Sequence, residues 1–410
     1  MTEHLIIKEF CGINEANIQV NKINVFIGRQ SSGKSVTAKL IYFFKEFIQL
    51  LANDVTQNSN LKELSDSVLK RFESYFPKTC WQEKTILTYF FSKDFSISLS
   101  FENIPIITYS DAFDLEINKL FKKKNEISRE NELIQDDELL TSTPLFLNRR
   151  TARLLRHDFF KLLRNLKINV PDNQIFIPAG RSFFSIFRRN LMSMLGASEN
   201  LDLDRFLLRF GTLYDRLRIP ETLFGNNYQI QQDYKDIIFK ILSAEHFVED
   251  DIDYLVHSDG RKVNIINASS GQQETLPLLV ILKAILAEHS YLYSGEKSLY
   301  IEEPEAHLYP ESQLEIIKLL LILGSKDDNQ VFITTHSPYV LSYINNFLLS
   351  LKIKGKEKLC INDFSVYFFN RKSVDFIVDY ESELILASEF DSVSENISDE
   401  FSSLINEIYE

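Results

Sequence analysis

Hydrophobic positions along this chain change period several times, and each change predicts an element. Period-two runs open it. Leu5-Ile6-Ile7-Lys8-Glu9-Phe10 and Asn17-Ile18-Gln19-Val20 predict short strands, and Ile23-Asn24-Val25-Phe26-Ile27 predicts an apolar strand running into Gly28. The period then lengthens, with Val36, Leu40, Phe43, Phe47 and Leu50 at amphipathic helical spacing. Residues 86–108 return to alternation (Ile86-Leu87-Thr88-Tyr89-Phe90, then Phe95-Ser96-Ile97-Ser98-Leu99), which predicts antiparallel pairing. From about 111 to 170 the pattern is helical, charged and free of glycine. Gln174–Arg181 reads as a buried strand ending in a turn, residues 184–248 as helical, and 253–267 as a hairpin turning at Asp259-Gly260. The last part alternates: helix 272–288, strand 298–303, helix 311–323, strand 330–335. Strands alternating with helices imply a parallel sheet covered on both faces. The sequence contains no internal repeat, no heptad run long enough for a coiled coil and no low-complexity linker.

Composition narrows this picture. A chain of 410 residues exceeds one ordinary core, so two domains, or one with a large insertion, are expected. No apolar stretch reaches 18 residues, because Lys283 interrupts the run at 276–287, so no membrane span is expected. The start lacks a basic segment followed by an apolar one, so no secretory signal is expected. Cys11, Cys80 and Cys360 are scattered without disulfide or metal spacing, which fits a reducing cytoplasm and small buried hydrophobes. A net charge of −13 argues against phosphate binding over the whole surface. The charge is uneven, however. Arg149, Arg150, Arg153, Arg156, Lys161, Arg164 and Lys167 stand against Asp158 alone, while the tail beyond Asp379 is acidic. Leu154, Leu155, Phe159, Leu162, Leu163 and Leu166 share that basic stretch at helical spacing, so it reads as a docking surface or as a solvated helix face.

Chemistry concentrates at three strand ends. Gly28-Arg29-Gln30-Ser31-Ser32-Gly33-Lys34-Ser35 is a complete G-x-x-x-x-G-K-[ST] loop between a strand and a helix that begins at Val36. Its glycines let successive amides face an anion, and the helix start adds partial positive charge. Lys34 is expected to reach the β/γ-phosphates of a nucleoside triphosphate, and the Ser35 hydroxyl to ligate Mg²⁺. Ala268-Ser269-Ser270-Gly271-Gln272-Gln273-Glu274 opens a later helix, as an anion site or a simple N-cap. The strand Ser298-Leu299-Tyr300-Ile301 delivers Glu302 and Glu303 to the edge where open α/β sheets place ligands. One carboxylate can hold Mg²⁺ and the other polarise an attacking water, and using both at once requires the strand to end there. Val331–Thr335 ends likewise, in His336, placed to face a γ-phosphate. Arg181 reads as a phosphate partner or as a buried clamp on the sheet edge, and Glu305 with His307 as a metal pair.

These residues, in this order, resemble the ABC ATPase heads of the SMC/RecF/OLD class. They are similar in particular to bacterial AAA-family ATPases that share Glu-Glu-Pro-Glu-x-His-Leu-x-Pro and Thr-Thr-His-Ser-Pro, here Glu302–Pro310 and Thr334–Pro338. Ile177-Pro178-Ala179-Gly180-Arg181-Ser182 resembles a Pro-Ala-x-Arg element of the same ATPases. The resemblance implies a P-loop ABC-type head of α/β class, with a mostly parallel central sheet, an antiparallel β subdomain and a large helical insertion. Residues 1–110 form its first part, 111–250 the mainly helical insertion with a head strand near 174–181, and 251–410 the rest with the acidic tail.

The resemblance further implies ATP and Mg²⁺ as cofactors, bound through residues 28–36 and, for the metal, Ser35 and Glu302. Glu303 becomes the general base and His336 the switch residue. Ser269, Ser270, Gly271 and Gln272 form the signature that reaches the nucleotide of the other protomer in a homodimer or higher oligomer. Glu305 and His307 then fall near the dimer interface, in an interface or structural role. Three positions depart from the common pattern: Glu302 stands where aspartate is usual, Ser270 where glycine is usual, and Ala268 where leucine is common. The roughly seventy residues after Pro338 fall short of a typical domain of about 100, and they contain no Asp-x-Asp after a strand, as an OLD-type nuclease would need. The expected function is therefore a cytoplasmic ATPase of a bacterial anti-phage system, the sensor, regulator or scaffold for a separate nuclease or toxin effector. The alternative is a RecF/SMC-like repair ATPase that clamps DNA.

Overall fold

The structure, a computed structural model, describes residues 3–102, 104–135, 144–187, 204–219, 230–287, 295–326, 329–355, 358–370, 373–386 and 398–405. Parts of the expected helical insertion and much of the acidic tail lie outside these residues.

Six strands build the central sheet. β3 (Ile23–Gly28) pairs in parallel with both β12 (Gln330–Thr335) and β13 (Phe364–Phe369). β12 pairs with β11 (Lys297–Glu302), and β11 with β7 (Asn173–Ile177), again in parallel. β14 (Val374–Phe376) closes the far edge antiparallel to β13. Registers Ile301↔Ile177, Glu302↔Thr334, Thr335↔Ile27 and Phe369↔Gly28 bring the carboxyl ends of five strands to one edge.

The pleat sorts side chains by type. Phe26, Phe176, Tyr300, Phe332, Tyr367 and Phe369 face one core, whereas Val25, Ile27, Ile177, Leu299, Ile301, Val331, Ile333 and Val366 face the other. Tyr300 and Phe332 stack across neighbouring strands with centroids 4.4 Å apart. Against this aromatic face lies α1 (Lys34–Gln57), whose Tyr42 meets Tyr300 edge to face. On it pack α2 (Leu61–Tyr75), α3 (Asp111–Gln135) and α4 (Pro144–Asn165). The same core takes the inner face of an antiparallel sheet, ordered β2-β1-β4-β5-β6, from β1 (His4–Phe10), β2 (Ile13–Gln19), β4 (Trp81–Phe90), β5 (Ser96–Phe101) and β6 (Pro105–Tyr109).

The aliphatic face is covered by α5 (Arg205–Leu217), α6 (Gln232–Leu242), α7 (Ser270–Leu286), α8 (Pro310–Gly324) and α9 (Tyr339–Lys354). A small sheet of β8 (Glu245–Glu249), β9 (Ile252–Val256) and β10 (Lys262–Asn264) precedes α7, and Gly260, at φ 84°, turns its second hairpin. No helix among the described residues is long and apolar enough to cross a membrane.

On α4 the helical spacing buries Leu155, Phe159 and Leu163 against α1 and α3, and Leu162 packs partly against the same core. Leu154 and Leu166, expected on that face, are exposed because they sit at its margins.

Candidate functional site

The glycine loop is shaped by β13 as much as by its own residues. Gly28 has φ 144°, and a β-carbon on it would meet the Phe369 carbonyl oxygen at 2.1 Å, so only glycine fits there. The same carbonyl accepts from the Arg29 amide at 3.3 Å. Gly33 caps α1 with φ 101° and supplies no side chain, which leaves the first amides of the helix without a side-chain cap. Arg29, Gln30 and Ser31 are exposed, whereas the Ser32 hydroxyl donates back to the Arg29 carbonyl at 2.7 Å. Val36 is half-buried, with its side chain packed against the core.

Lys34 is buried and donates to the carbonyls of Gly28 (3.0 Å) and Arg29 (2.6 Å). Burial lowers its ammonium to about 8, with Glu303 and Glu305 pulling the other way. The lysine of the first strand end thus lies within electrostatic reach of the carboxylates that follow the second.

β11 ends at Glu302, and the chain reverses at Glu303, which takes a left-handed φ of 43°. That reversal lets two adjacent carboxylates serve one edge. Glu302 is buried: its Oε2 accepts from the Ala179 amide at 3.1 Å, while Oε1 has no protein partner. Beside it on β12, the buried Thr334 hydroxyl also lacks one. Glu303 is half-exposed, with Oε1 3.3 Å from His336 Nε2. Glu305 is buried and accepts from the Thr335 hydroxyl and, at 3.1 Å, from the His336 amide. Burial holds its carboxyl above the ordinary range despite these donors. Glu305 therefore braces the turn that presents His336, and its geometry is that of a strut between strand ends.

Arg181 is the clamp rather than a free cation. It is fully buried and donates to the carbonyls of Pro178 (3.1 Å), Glu302 (2.6 Å), Glu303 (3.0 Å) and Glu274 (3.2 Å). Glu274 on α7 accepts from the Arg181 and Ser182 amides at 3.0 and 2.9 Å. Burial raises the Glu274 carboxyl, but Arg181 and those amides outweigh it and hold the group below its usual range. This clamp fixes the path of the chain through Glu302 and Glu303. Periodicity did not reveal Glu274, although its place in the second turn of the helix opened by Ser269 was a usable signal.

Ser269 and Gln272 form a capping box at the start of α7, with the Ser269 hydroxyl accepting from the Gln272 amide. Gln272 also donates to the Leu242 carbonyl at 2.8 Å. These bonds run within the helix start and to α6. Ser269 and Ser270 are exposed, and Gly271 lies so close to His307 that a β-carbon would meet its carbonyl oxygen at 2.6 Å. The structure thus gathers residues 28–36, Glu302, Glu303 and His336 at one edge, with Ser269 and Ser270 exposed and Gly271 and Gln272 half-buried.

Fold and site together define a P-loop ATPase head of the ABC type. A family model described as "AAA domain, putative AbiEii toxin, Type IV TA system" matches residues 23–342, and the chain belongs to that family. No curated protein matches the sequence. Among solved structures, an SmcHead bound to the C-winged helix domain of ScpA is similar at 11% identity, with 93% of this chain and 99% of that one covered and a TM-score of 0.42. The SMC head domain from Thermotoga maritima follows at 10%, 92%, 99% and 0.38. An Smc head with an extended coiled coil, bound to the C-terminal domain of ScpA derived from Pyrococcus furiosus, gives 10%, 97%, 99% and 0.37. The class rests on strand order, site and family match, not on these overlaps.

Proposed function

We propose that this chain binds ATP with Mg²⁺ at the shared strand edge and hydrolyses it, working as paired heads. One observation carries the reading: Lys34, the Glu302–Glu303 pair and His336 converge there, with a buried Glu302 oxygen lacking a protein partner. The phosphates fit the amides of residues 29–36, and Lys34 exchanges two backbone carbonyls for phosphate oxygens. Ser35 and Glu302 would hold Mg²⁺, an assignment supported by that spare carboxylate oxygen; when bound, the ion supplies positive charge to the β/γ-phosphates. Glu303 accepts the proton of the attacking water, and His336 orients the carboxylate.

Ser269, Ser270, Gly271 and Gln272, at the start of α7, serve the nucleotide of a second copy. In the cytoplasm the paired heads act as sensor, regulator or scaffold of an anti-phage system and control a separate nuclease or toxin. The toxin–antitoxin description of the family supports that setting. The DNA-clamp reading keeps one observation in its favour, the exposed cations Arg149, Arg150, Arg153, Arg156, Lys161, Arg164 and Lys167.

Equilibrium binding of ATP with and without Mg²⁺, on wild type and Lys34→Ala, tests the site. Affinity is lost in the variant, and equal affinity refutes the loop assignment. Phage plating with co-purification, set against salt-dependent DNA binding, separates the two settings. Effector capture without DNA affinity supports the first, and the reverse supports the second.

A further inference from the structure

Two of the three cysteines come together. Cys11 and Cys80 form the next rung after the Phe10↔Trp81 pair of β1 and β4, and the Cys11 amide donates to the Cys80 carbonyl at 3.1 Å. Directly opposed residues of an antiparallel pair keep their α-carbons about 4.5–5.5 Å apart. A disulfide spans about 4.4–6.8 Å. Both thiols are free and partly buried, and the Cys80 thiol is near enough to act on that of Cys11. Burial, and then that neighbour, pushes the Cys11 thiol up.

The backbone here is unusual as well. Cys11 and Gly12 make the two-residue turn between β1 and β2, with φ 49° and 82°. Two positive φ values are the type I′ pattern, which favours Asn, Asp and Gly. The next residue, Ile13, lies over the glycine loop: a β-carbon on Gly33 would meet its side chain at 2.5 Å. Cysteine pair, hairpin tip and nucleotide loop are therefore one contiguous unit.

We propose that Cys11 and Cys80 are an oxidation site, closing to an intramolecular disulfide that fastens the hairpin tip over the loop and slows nucleotide exchange. The second half rests on the nucleotide-binding reading above. A hydroperoxide is the oxidant. It converts the Cys80 thiol to a sulfenic acid and is itself reduced to water in the case of hydrogen peroxide. The Cys11 sulfur then displaces the hydroxyl, and its proton leaves in a second water. Two thiols lose two hydrogens, and one peroxide becomes two waters. In the proposed coupling, loading the loop takes Lys34 off the Gly28 and Arg29 carbonyls, beside the Gly33 on which the Ile13 side chain rests.

The test treats the full chain, reduced or exposed to stoichiometric hydrogen peroxide, and maps its peptides by mass spectrometry. The expected product is one linked pair containing Cys11 and Cys80, lighter by two hydrogens, reversed by dithiothreitol and missing from Cys11→Ser and Cys80→Ser. Free thiols or separate sulfinic acids at both positions overturn the site. Release of a fluorescent ATP analogue is then several-fold slower from the oxidised chain, is restored by reduction, and is unaffected by peroxide in Cys80→Ser. A disulfide that leaves release unchanged overturns the coupling. If neither form binds nucleotide, the coupling falls with the reading it rests on, while the linked peptide, read by mass alone, still decides the oxidation site.

Discussion

At the residue scale, the site is governed by what burial does to charge. The Lys34 ammonium, lowered to about 8 by burial, loses its proton as pH rises through that value. Bound phosphate favours the charged form, so nucleotide binding takes up a proton above pH 8. ATP affinity is therefore expected to hold between pH 7 and 8 and to weaken beyond, by up to about tenfold per pH unit. Calorimetric titration at several pH values checks this, and a flat profile to pH 10 contradicts it. Arg181 is a second case. Arg181→Met removes the cation that faces buried Glu274 and frees four carbonyls, so stability is expected to fall by about 3–5 kcal/mol, read from the urea midpoint. A loss under about 1 kcal/mol would mean the clamp is dispensable.

At the scale of elements, the strand–loop–helix around Lys34 and the acidic and histidine strand ends were legible because local pattern and chemistry coincide there. Gly33 and Ser35 open a helix whose apolar period is unmistakable, and β11 and β12 are short apolar runs between helices. Long-range partners were not legible. Phe364–Phe369 is an apolar run too, yet only the sheet register shows that it lies beside β3 and that its last carbonyl shapes Gly28. The meeting of Cys11 with Cys80 likewise depends on β1–β4 pairing, which no local period encodes. Sequence alone leaves Arg181 between two roles because its partners come from β11 and α7, far along the chain. Gly28→Ala tests the close approach. The added methyl meets backbone, not a flexible side chain, so destabilisation of about 1–3 kcal/mol and loss of nucleotide affinity are expected. Wild-type melting and binding would show that β13 yields.

At the scale of the whole molecule, the exposed start of α7 at Ser269 and Ser270 is the surface that the proposed pairing of heads assigns to a second copy. If each nucleotide lies between the loop of one head and the signature of another, two different inactive chains complement each other. Mixing Lys34→Ala with Ser269→Arg is expected to restore part of the ATPase rate, from the one intact composite site in each mixed dimer. Mixed dimers without activity count against shared sites. The central claim, that this edge hydrolyses ATP through Glu303, has a more direct measurement: phosphate release and ATP binding on one preparation of Glu303→Gln beside wild type. The amide keeps the size of the side chain and spares the loop, Lys34 and Glu302, but cannot take a proton from water. ATP binding close to wild type is expected, with turnover reduced by about a hundredfold or more. Undiminished phosphate release from Glu303→Gln would contradict the claim.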